Sequence, residues 1–229
     1  MIQLEKTDDG SYTLFVPELN EHYHSVKGAL TESEHIFINM GLKHSLAEAP
    51  RMLEIGFGTG LNAFLSLLYA GQAQRDIYYA TIERYPVNDE LVGQLDYPEK
   101  ICPEAADDFY ALHKAAWDTD VRLTPFFTLH KILGDFTQYR FQGNFDVIYF
   151  DAFAPEKQPE MWSQSLFDTL YACLNEGGVL TTYCAKGVVR RMLQAAGFTV
   201  ERLPGPPGGK REILRARKLK QNQPPILIQ

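Results

Sequence analysis

The stretch R-M-L-E-I-G-F-G-T-G-L-N, residues 51–62, decides the fold of this chain. It predicts a short apolar strand at 52–55, then a turn built on alternate glycines, then an apolar helix that begins near Leu61. A strand, a tight glycine turn and a helix N-terminus in this order form the usual place where an open α/β sheet holds a nucleotide-like ligand.

The spacing of the glycines favours one class of ligand over another. A dinucleotide fingerprint, G-x-G-x-x-G, needs its third glycine at the position of Leu61, whereas the glycines here are Gly56, Gly58 and Gly60. This alternate spacing, with Glu54 two positions before the first glycine, suits a turn against which the methionine part of S-adenosylmethionine lies. The alternative is a plain strand-to-helix turn that holds no ligand.

The composition is that of an ordinary globular chain: 229 residues, 45% hydrophobic and 22% charged, which fits one domain with a sizeable core. No apolar run approaches the roughly 18 residues of a membrane span, and the first residues lack a signal-peptide pattern, so we expect a cytoplasmic protein without membrane contact. Cys102, Cys173 and Cys184 are odd in number and widely spaced. We therefore expect buried free thiols, and neither a disulfide framework nor a metal site.

The charge is unevenly distributed along the chain. The net charge is −7, yet from Lys186 onward ten Lys and Arg face only two Glu, a balance of +8 that leaves −15 on the first 185 residues. Such asymmetry is what a polyanion-binding edge on an acidic body would produce, although a solubilising basic tail would produce it as well.

Alternating strand and helix patterns from residue 52 onward predict a doubly wound, Rossmann-like α/β fold with a mostly parallel, seven-stranded sheet whose last strand is antiparallel. This is the fold of S-adenosylmethionine-dependent methyltransferases. The strands are expected at 52–55, 77–82, within 121–133, at 145–150, 179–184, 198–202 and, as an antiparallel edge strand, 212–217.

The first 46 residues are predicted to form an accessory to the main fold. Residues 2–17 read as a β-hairpin with its turn at 8–11, and residues 30–46 as a helix that Thr31 and Glu34 begin in capping-box spacing. Residues 18–31 read as a loop with a dense polar and aromatic set. The expected organisation is an accessory at 1–46, a methyltransferase domain at 47–220 and a tail at 221–229.

Two acidic residues follow the second and third strands, where an open sheet places its ligand. Glu83 ends the second strand, at the usual separation from the glycine turn for a carboxylate that faces ribose hydroxyls. Asp135, after Gly134, can accept a hydrogen bond from an adenine amino group. A solvated strand end is the alternative for Glu83. Together with the turn, both residues favour S-adenosylmethionine as the cofactor.

The fourth strand, F-D-V-I-Y-F, ends in Asp151, which we expect to point at the transferable methyl group. Its carboxylate could orient an amine and accept its proton, or simply bond to backbone amides at the end of the strand. Phe153 and Trp162 could stack on a flipped-out base, or simply pack in the core. Lys157 could meet a phosphate, or be merely solvated.

Six segments together resemble the methyltransferase part of the bifunctional tRNA-modifying enzyme MnmC and its stand-alone form, MnmD. These are E-I-G-F-G-T-G-L-N at 54–62, I-E-R-Y-P at 82–86, G-D at 134–135, F-D-A-F-A-P-E-K-Q-P-E-M-W at 150–162, G-V-V-R-R-M-L-Q-A-A-G-F at 187–198 and G-G-K-R-E-I-L at 208–214. The likeness covers most of the chain from about residue 20. Gln158 stands where the family is expected to have asparagine, which keeps the amide.

The resemblance implies an activity and a set of site residues. That family methylates the aminomethyl nitrogen of 5-aminomethyl-2-thiouridine at the tRNA wobble position with S-adenosylmethionine, and Asp151 matches its catalytic aspartate. The implied cofactor positions are Glu54, Gly56, Phe57, Gly58, Thr59, Gly60, Asn62, Glu83 and Asp135. The implied substrate positions are Phe153, Pro155, Lys157 and Trp162, with Arg190, Arg191, Lys210 and Arg211 on phosphates of the anticodon stem-loop.

Two other functions stay open on the sequence. Aminopropyltransferases and small-molecule amine N-methyltransferases share the sheet, the glycine turn and an aspartate after the fourth strand, but lack the basic C-terminal cluster. A non-catalytic module that binds tRNA or another partner and keeps a relict cofactor pocket is the other alternative. The presence of all four acidic residues, Glu54, Glu83, Asp135 and Asp151, argues against it. The flavin-dependent oxidase half of MnmC has no room in 229 residues, so we expect the aminomethyl substrate to come from elsewhere.

Overall fold

The computed structural model describes residues 2–220, and its strands form two separate sheets. The predicted tail at 221–229 lies outside the described residues. In chain order the strands are β1 (Gln3–Lys6), β2 (Tyr12–Val16), β3 (Glu21–His22), β4 (Arg51–Ile55), β5 (Ile77–Glu83), β6 (Asp120–Thr124), β7 (Phe127–Leu133), β8 (Phe145–Phe150), β9 (Leu174–Thr182), β10 (Thr199–Pro204) and β11 (Glu212–Arg217).

The helices cover the two faces of the larger sheet. They are α1 (Ala29–Ser33), α2 (Leu61–Ala73), α3 (Asp89–Val92), α4 (Tyr97–Ile101), α5 (Ala106–Lys114), α6 (Gln164–Cys173) and α7 (Gly187–Ala196). A π-helical segment, Glu34–Asn39, and three 3₁₀ turns, Leu42–His44, Pro103–Ala105 and Pro159–Met161, complete the set. Between residues 2 and 220, none of these helices has the length and apolar character needed to cross a membrane.

The larger sheet has the strand order β10-β11-β9-β8-β4-β5-β7-β6, and its central strands are parallel. The predicted Rossmann-like class is confirmed, with eight strands in place of seven. The additional strand arises within 121–133, where Thr124 and Phe127 pair across a tight turn that contains Pro125. Because proline has no backbone N–H to donate, a strand cannot continue through it in a central ladder, and the segment folds into an antiparallel pair.

The prediction that the last strand lies at an edge is wrong. β11 is antiparallel, as expected, but it lies between β9 and β10, so that Leu214 pairs with both Thr182 and Arg202. Four successive residues of β11, at 213–216, are buried, whereas Val200 is the only buried residue of β10. A strand buried on both faces belongs in the interior of a sheet, and β10 forms the edge.

The N-terminal accessory contains the predicted hairpin, extended by β3 into a three-stranded sheet. The single helix predicted at 30–46 is wrong: α1 starts at Ala29 after Gly28, and the chain continues through π-helical and 3₁₀ segments. Thr31 does not cap the helix, because its backbone N–H and its hydroxyl both donate to Asp9 Oδ2 at 2.9 Å. The hairpin turn therefore anchors the start of α1.

Alternate residues of the central strands supply two hydrophobic cores, one on each face of the sheet. Met52 and Tyr149 belong to the core beneath α2 and α5, and Leu53 and Ile148 to the core beneath α6 and α7. These four side chains are fully buried. Two cores fixed by the same strands hold the carboxyl ends of β4 and β8 in register.

The three cysteines are free thiols, as expected. Cys173 and Cys184 are buried, whereas Cys102 is only half-buried.

Candidate active site

The glycine turn brings the end of β4 against the end of β8. Gly56 has φ +92°, and a Cβ there would lie 3.2 Å from the carbonyl oxygen of Asp151. The backbone N–H of Asp151 donates to the carbonyl of Ile55 at 3.2 Å. On its outer side the turn is equally tight, because a Cβ at Gly58 would lie 3.0 Å from the ring of Tyr23. Only glycine allows both close approaches.

Glu83 and Asp135 lie at the strand ends where the sequence predicts them. Glu83 accepts hydrogen bonds from the backbone N–H of Gly58 at 3.0 Å and of Tyr85 at 2.8 Å, which ties the end of β5 to the glycine turn. Asp135 accepts from the side chain and backbone of Thr137, and Arg84 pairs with it at 2.8 Å. The Thr137 hydroxyl, together with Arg84, lowers the pKa of Asp135.

A buried polar cluster lies beneath the turn. Glu54 is fully buried, and its Oε2 accepts from the Thr81 hydroxyl at 2.9 Å. Its other oxygen, Oε1, has no hydrogen-bond partner within residues 2–220, and the same holds for Asn62 Oδ1 and Tyr79 Oη. Burial raises the pKa of Glu54 well above its usual range. Buried polar atoms left without partners are where a bound group is expected to supply them.

Two of the predicted cofactor residues direct their side chains elsewhere. The ring of Phe57 packs edge-on against His113 at 5.2 Å and against Trp117 at 6.5 Å, so its side chain belongs to the core and only its backbone is left for a cofactor. The Thr59 hydroxyl lies 2.7 Å from His24 Nε2, a contact that joins the accessory to the turn. Burial lowers the pKa of His24 to about 4, so this imidazole is neutral at pH 7.

Asp151 lies beside the turn and is held by a residue that the sequence assigned to the cofactor. The side-chain amide of Asn62 donates to Asp151 Oδ2 at 2.8 Å, so this amide orients the carboxylate. Burial, reinforced by the charge of Glu32, raises the pKa of Asp151 to about 7. A carboxyl with that pKa exchanges a proton readily near neutral pH.

A cavity of about 570 Å³ opens in front of Asp151. Its size falls within the usual range for small-molecule sites. Three aromatic side chains form part of its wall: Tyr23 from the accessory, Phe153 after β8 and Tyr183 after β9. Glu32 from α1 and Lys210 from the loop before β11 belong to the charged part of the lining, together with Glu21, Lys186 and Glu212. The accessory is therefore one wall of the cavity.

The structure separates the predicted substrate residues into two groups. Phe153 and Pro155 line the cavity, whereas Trp162 does not. Trp162 is buried against Phe150, and its indole N–H donates to the carbonyl of Phe153 at 2.8 Å. The predicted stacking of Trp162 on a base is therefore corrected to core packing that supports the Phe153 loop. Lys157 is half-buried and lies outside the cavity lining.

Half of the ten basic residues from Lys186 onward are held by carboxylates of the fold. Arg215 and Arg217 both pair with Glu201 in the sheet, and Arg202 pairs with Glu212. Among the predicted phosphate contacts, Lys210 lies in the cavity, paired with Glu32. Arg191 and Arg211 are exposed, and Arg190 is half-buried; none of these three forms an ion pair within the described residues 2–220. The four predicted phosphate contacts are thus reduced to these three arginines.

Sequence reasoning missed several residues of the site. Among them are Tyr23, His24, Glu32 and Tyr183, of which Tyr23 also meets Phe153 edge-on at 5.1 Å. The dense polar and aromatic set at 21–25 was visible in the sequence. Nothing in the spacing, however, indicated that this segment crosses the glycine turn, because the contacts join residues far apart in the chain.

Comparisons with known proteins agree with this fold. Residues 107–219 match the model of a family described as S-adenosyl-L-methionine-dependent methyltransferase. The crystal structure of MnmC2 from Aquifex aeolicus has a TM-score of 0.77 at 24% identity, over 95% of this chain and 70% of that chain. The spermidine synthase of Thermotoga maritima has a TM-score of 0.55 at 15% identity, over 95% of this chain and 72% of that chain.

The chain thus has the fold of the predicted class, the Rossmann-like S-adenosylmethionine-dependent methyltransferases. Within that class the predicted resemblance to MnmC is confirmed. The tRNA 5-methylaminomethyl-2-thiouridine biosynthesis bifunctional protein MnmC of Cupriavidus metallidurans is 30% identical over 247 aligned positions, 97% of this chain and 35% of the relative. The chain spans about a third of the length of the curated relatives it matches.

Proposed function

We propose that this chain transfers the methyl group of S-adenosylmethionine to the aminomethyl nitrogen of 5-aminomethyl-2-thiouridine at the wobble position of tRNA. The observation that carries this proposal is the placement of Asp151, whose carboxylate lies beside the glycine turn and also lines a cavity large enough for a nucleoside. The names of the curated relatives support the same reaction.

The residues around the turn fit S-adenosylmethionine. The unpaired oxygen of Glu54 would receive the ammonium of its methionine part, Glu83 the ribose and Asp135 the adenine amino group. The backbone of the turn, which leaves no room for a Cβ at Gly56 or Gly58, would lie against the remainder. When bound, this cofactor supplies an electrophilic methyl group on a sulfonium.

The protein's own part in the reaction is to align the amine and to take its proton. An aminomethyl group is mostly protonated at neutral pH, since its pKa lies well above 7, and its lone pair is then not free. The carboxylate of Asp151, oriented by Asn62, accepts one proton from the nitrogen. The pKa of about 7 makes this carboxyl a better proton acceptor than an ordinary aspartate.

The cavity wall suits a planar ring that has left a single-stranded loop. Tyr23, Phe153 and Tyr183 present aromatic surface around Asp151, and unstacked RNA bases bind to such surfaces. Arg191 and Arg211 are exposed and would contact backbone phosphates of the anticodon stem-loop. Substrate recognition would then combine stacking inside the cavity with charge outside it.

A second function is favoured by one observation, the number of carboxylates in the cavity. Glu21, Glu32 and Glu212 line it together with Asp151, which would also suit a small polyamine. The likeness to spermidine synthase concerns the fold alone. An aminopropyltransferase or small-molecule amine methyltransferase would act on free amines without RNA, and this difference separates the two functions.

The test is methyl transfer from labelled S-adenosylmethionine to defined acceptors. We expect transfer to an anticodon stem-loop carrying 5-aminomethyl-2-thiouridine, with nucleoside mass spectrometry detecting the 5-methylaminomethyl product. Free putrescine and spermidine serve as competing acceptors, with decarboxylated S-adenosylmethionine as an alternative donor. Efficient use of the free amines with no reaction on the RNA would reject the proposal and favour the second function.

A further inference from the structure

A primary ammonium group already sits in the cavity, and it belongs to the protein. Lys210 Nζ donates to Glu32 Oε1 at 2.6 Å and lies 4.4 Å from the centroid of the Tyr183 ring. A carboxylate on one side and an aromatic face on the other are the two features that recognise an alkylammonium ion. Glu32, Tyr183 and Lys210 all line the cavity that contains Asp151.

The carboxylate in this contact is buried and held by a second hydrogen bond, whereas the lysine side chain is more exposed. The side chain of Glu32 is only 9% exposed, and its second oxygen accepts from the backbone N–H of Ser25 at 2.8 Å. The side chain of Lys210 is 39% exposed and lies on an exposed loop. A carboxylate so little exposed needs a cation beside it, but it does not need this particular one.

The substrate class provides such a cation. An aminomethyl group enters the cavity as a primary ammonium, the same chemical group as the end of the lysine side chain. Glu32 is also close enough to Asp151 for its charge to raise the pKa of that carboxyl. An ammonium held by Glu32 is thus brought near the residue that would take its proton.

We propose that Glu32 and the Tyr183 ring form the subsite that receives the substrate ammonium, and that Lys210 occupies this subsite until the substrate displaces it. The inference rests on the proposed function, since it requires an amine acceptor. It makes Glu32 the residue that distinguishes an amine from a neutral group of the same size, and it gives Lys210 a role other than phosphate binding.

The first test compares two anticodon stem-loop RNAs, one with 5-aminomethyluridine and one with 5-hydroxymethyluridine at the wobble position. Binding is measured in the presence of S-adenosylhomocysteine, so that no methyl transfer occurs. We expect the wild type to prefer the amine and Glu32→Gln to lose about tenfold of that preference, because a charge-assisted contact becomes a neutral one. Glu34→Gln, which removes an exposed carboxylate two residues further along, should keep it.

The quantity compared is the ratio of the two dissociation constants, one for each RNA. This ratio is informative because a general structural defect would weaken the binding of both RNAs equally. If Glu32→Gln binds both RNAs more weakly with an unchanged ratio, or keeps the full preference, Glu32 is not the ammonium receptor. Thermal unfolding of each variant shows whether the fold is kept, and a change of the ratio in a folded variant can come only from recognition of the wobble group.

The second test concerns the lysine. Since the substrate no longer has to displace a competing ammonium, Lys210→Met should raise the preference for the amine RNA. If Lys210 instead binds phosphate, both RNAs lose affinity by the same factor and the ratio stays constant, which overturns the displacement.

Measuring methylation by the wild type distinguishes a failure of the proposed function from a failure of the proposed ammonium subsite. A wild type that prefers the amine RNA but does not methylate it refutes the proposed function while leaving the subsite supported. A wild type that methylates the amine RNA, together with a Glu32→Gln variant of unchanged preference, refutes the subsite alone. Failure to bind either RNA overturns both.

Discussion

Glu54 and Asp151 occupy comparable places in the fold and differ in what they face. Both lie at the carboxyl ends of neighbouring parallel strands, and burial raises the pKa of each. Glu54 is sealed beneath the glycine turn with one oxygen unpaired, whereas Asp151 is partly exposed to the cavity and held by Asn62. The position at the end of a strand therefore determines where each carboxylate lies. Whether the carboxylate is open to the cavity determines which ligand it can contact.

The largest effect is expected for a substitution of Asp151, the carboxylate that faces the cavity. Asp151→Asn keeps the shape of the side chain but removes the proton acceptor, so single-turnover methyl transfer should fall by about a thousandfold. Calorimetry should show nearly unchanged affinity for S-adenosylmethionine. Turnover within tenfold of the wild type would show that Asp151 does not take the proton.

The next effect is the pH dependence of the wild type. Asp151 acts in its deprotonated form, and the protonated fraction grows as the pH falls through its pKa of about 7. Single-turnover rates at saturating RNA should therefore fall by about tenfold for each pH unit below that value, roughly a hundredfold by pH 5. The residual activity of Asp151→Asn should lack this acidic limb. An acidic limb that persists in that variant would belong to another group.

A smaller effect is expected for a substitution of Glu54, the carboxylate buried beneath the glycine turn. Glu54→Gln removes the charge from the unpaired oxygen, so the dissociation constant for S-adenosylmethionine should rise by about tenfold, since a charge-assisted contact is lost. The rate of methyl transfer at saturating cofactor should change little. Thr81→Val, which removes the hydroxyl that Glu54 accepts from, is the control and should have the weaker effect. Unchanged cofactor affinity in Glu54→Gln with lost turnover would reverse the roles of the two carboxylates.

The smallest effect is expected for surface arginines. Here the comparison is between arginines that form an ion pair with a carboxylate and arginines that do not. Arg191→Ala combined with Arg211→Ala should weaken tRNA binding by a few fold at low salt and reduce its salt dependence, because up to two phosphate contacts are lost. The matched control is Arg202→Ala, since Arg202 is already paired with Glu212. Equal losses in both variants would show that unpaired charge does not mark the docking surface.

The sequence alone predicted the central sheet and the strand-end residues well. Glycine spacing and apolar strands are local signals, and they placed Glu83, Asp135 and Asp151 at the ends of β5, β7 and β8. What it could not predict depends on pairing between distant segments. The insertion of β11 beside β9 is one case, and the packing of Tyr23 on the glycine turn is another.

The prediction of a basic tRNA-binding edge shows the same difficulty. Charge is visible in a sequence, but its neutralisation is not, and Glu201 alone holds both Arg215 and Arg217. Trp162 was equally ambiguous, because an aromatic residue after a strand can face a ligand or the core. Only its contact with Phe150 and the hydrogen bond to Phe153 decided the question.

The contact between Glu32 and Lys210 has a consequence for how the protein is made. The two residues are 178 positions apart, so the wall of the cavity that they form joins an early part of the chain to a late one. On the ribosome, the central strands emerge well before residue 210 has been synthesised. A nascent chain can therefore have most of its sheet and its glycine turn while this wall is still missing, and the acceptor pocket is among the last parts of the molecule to be completed.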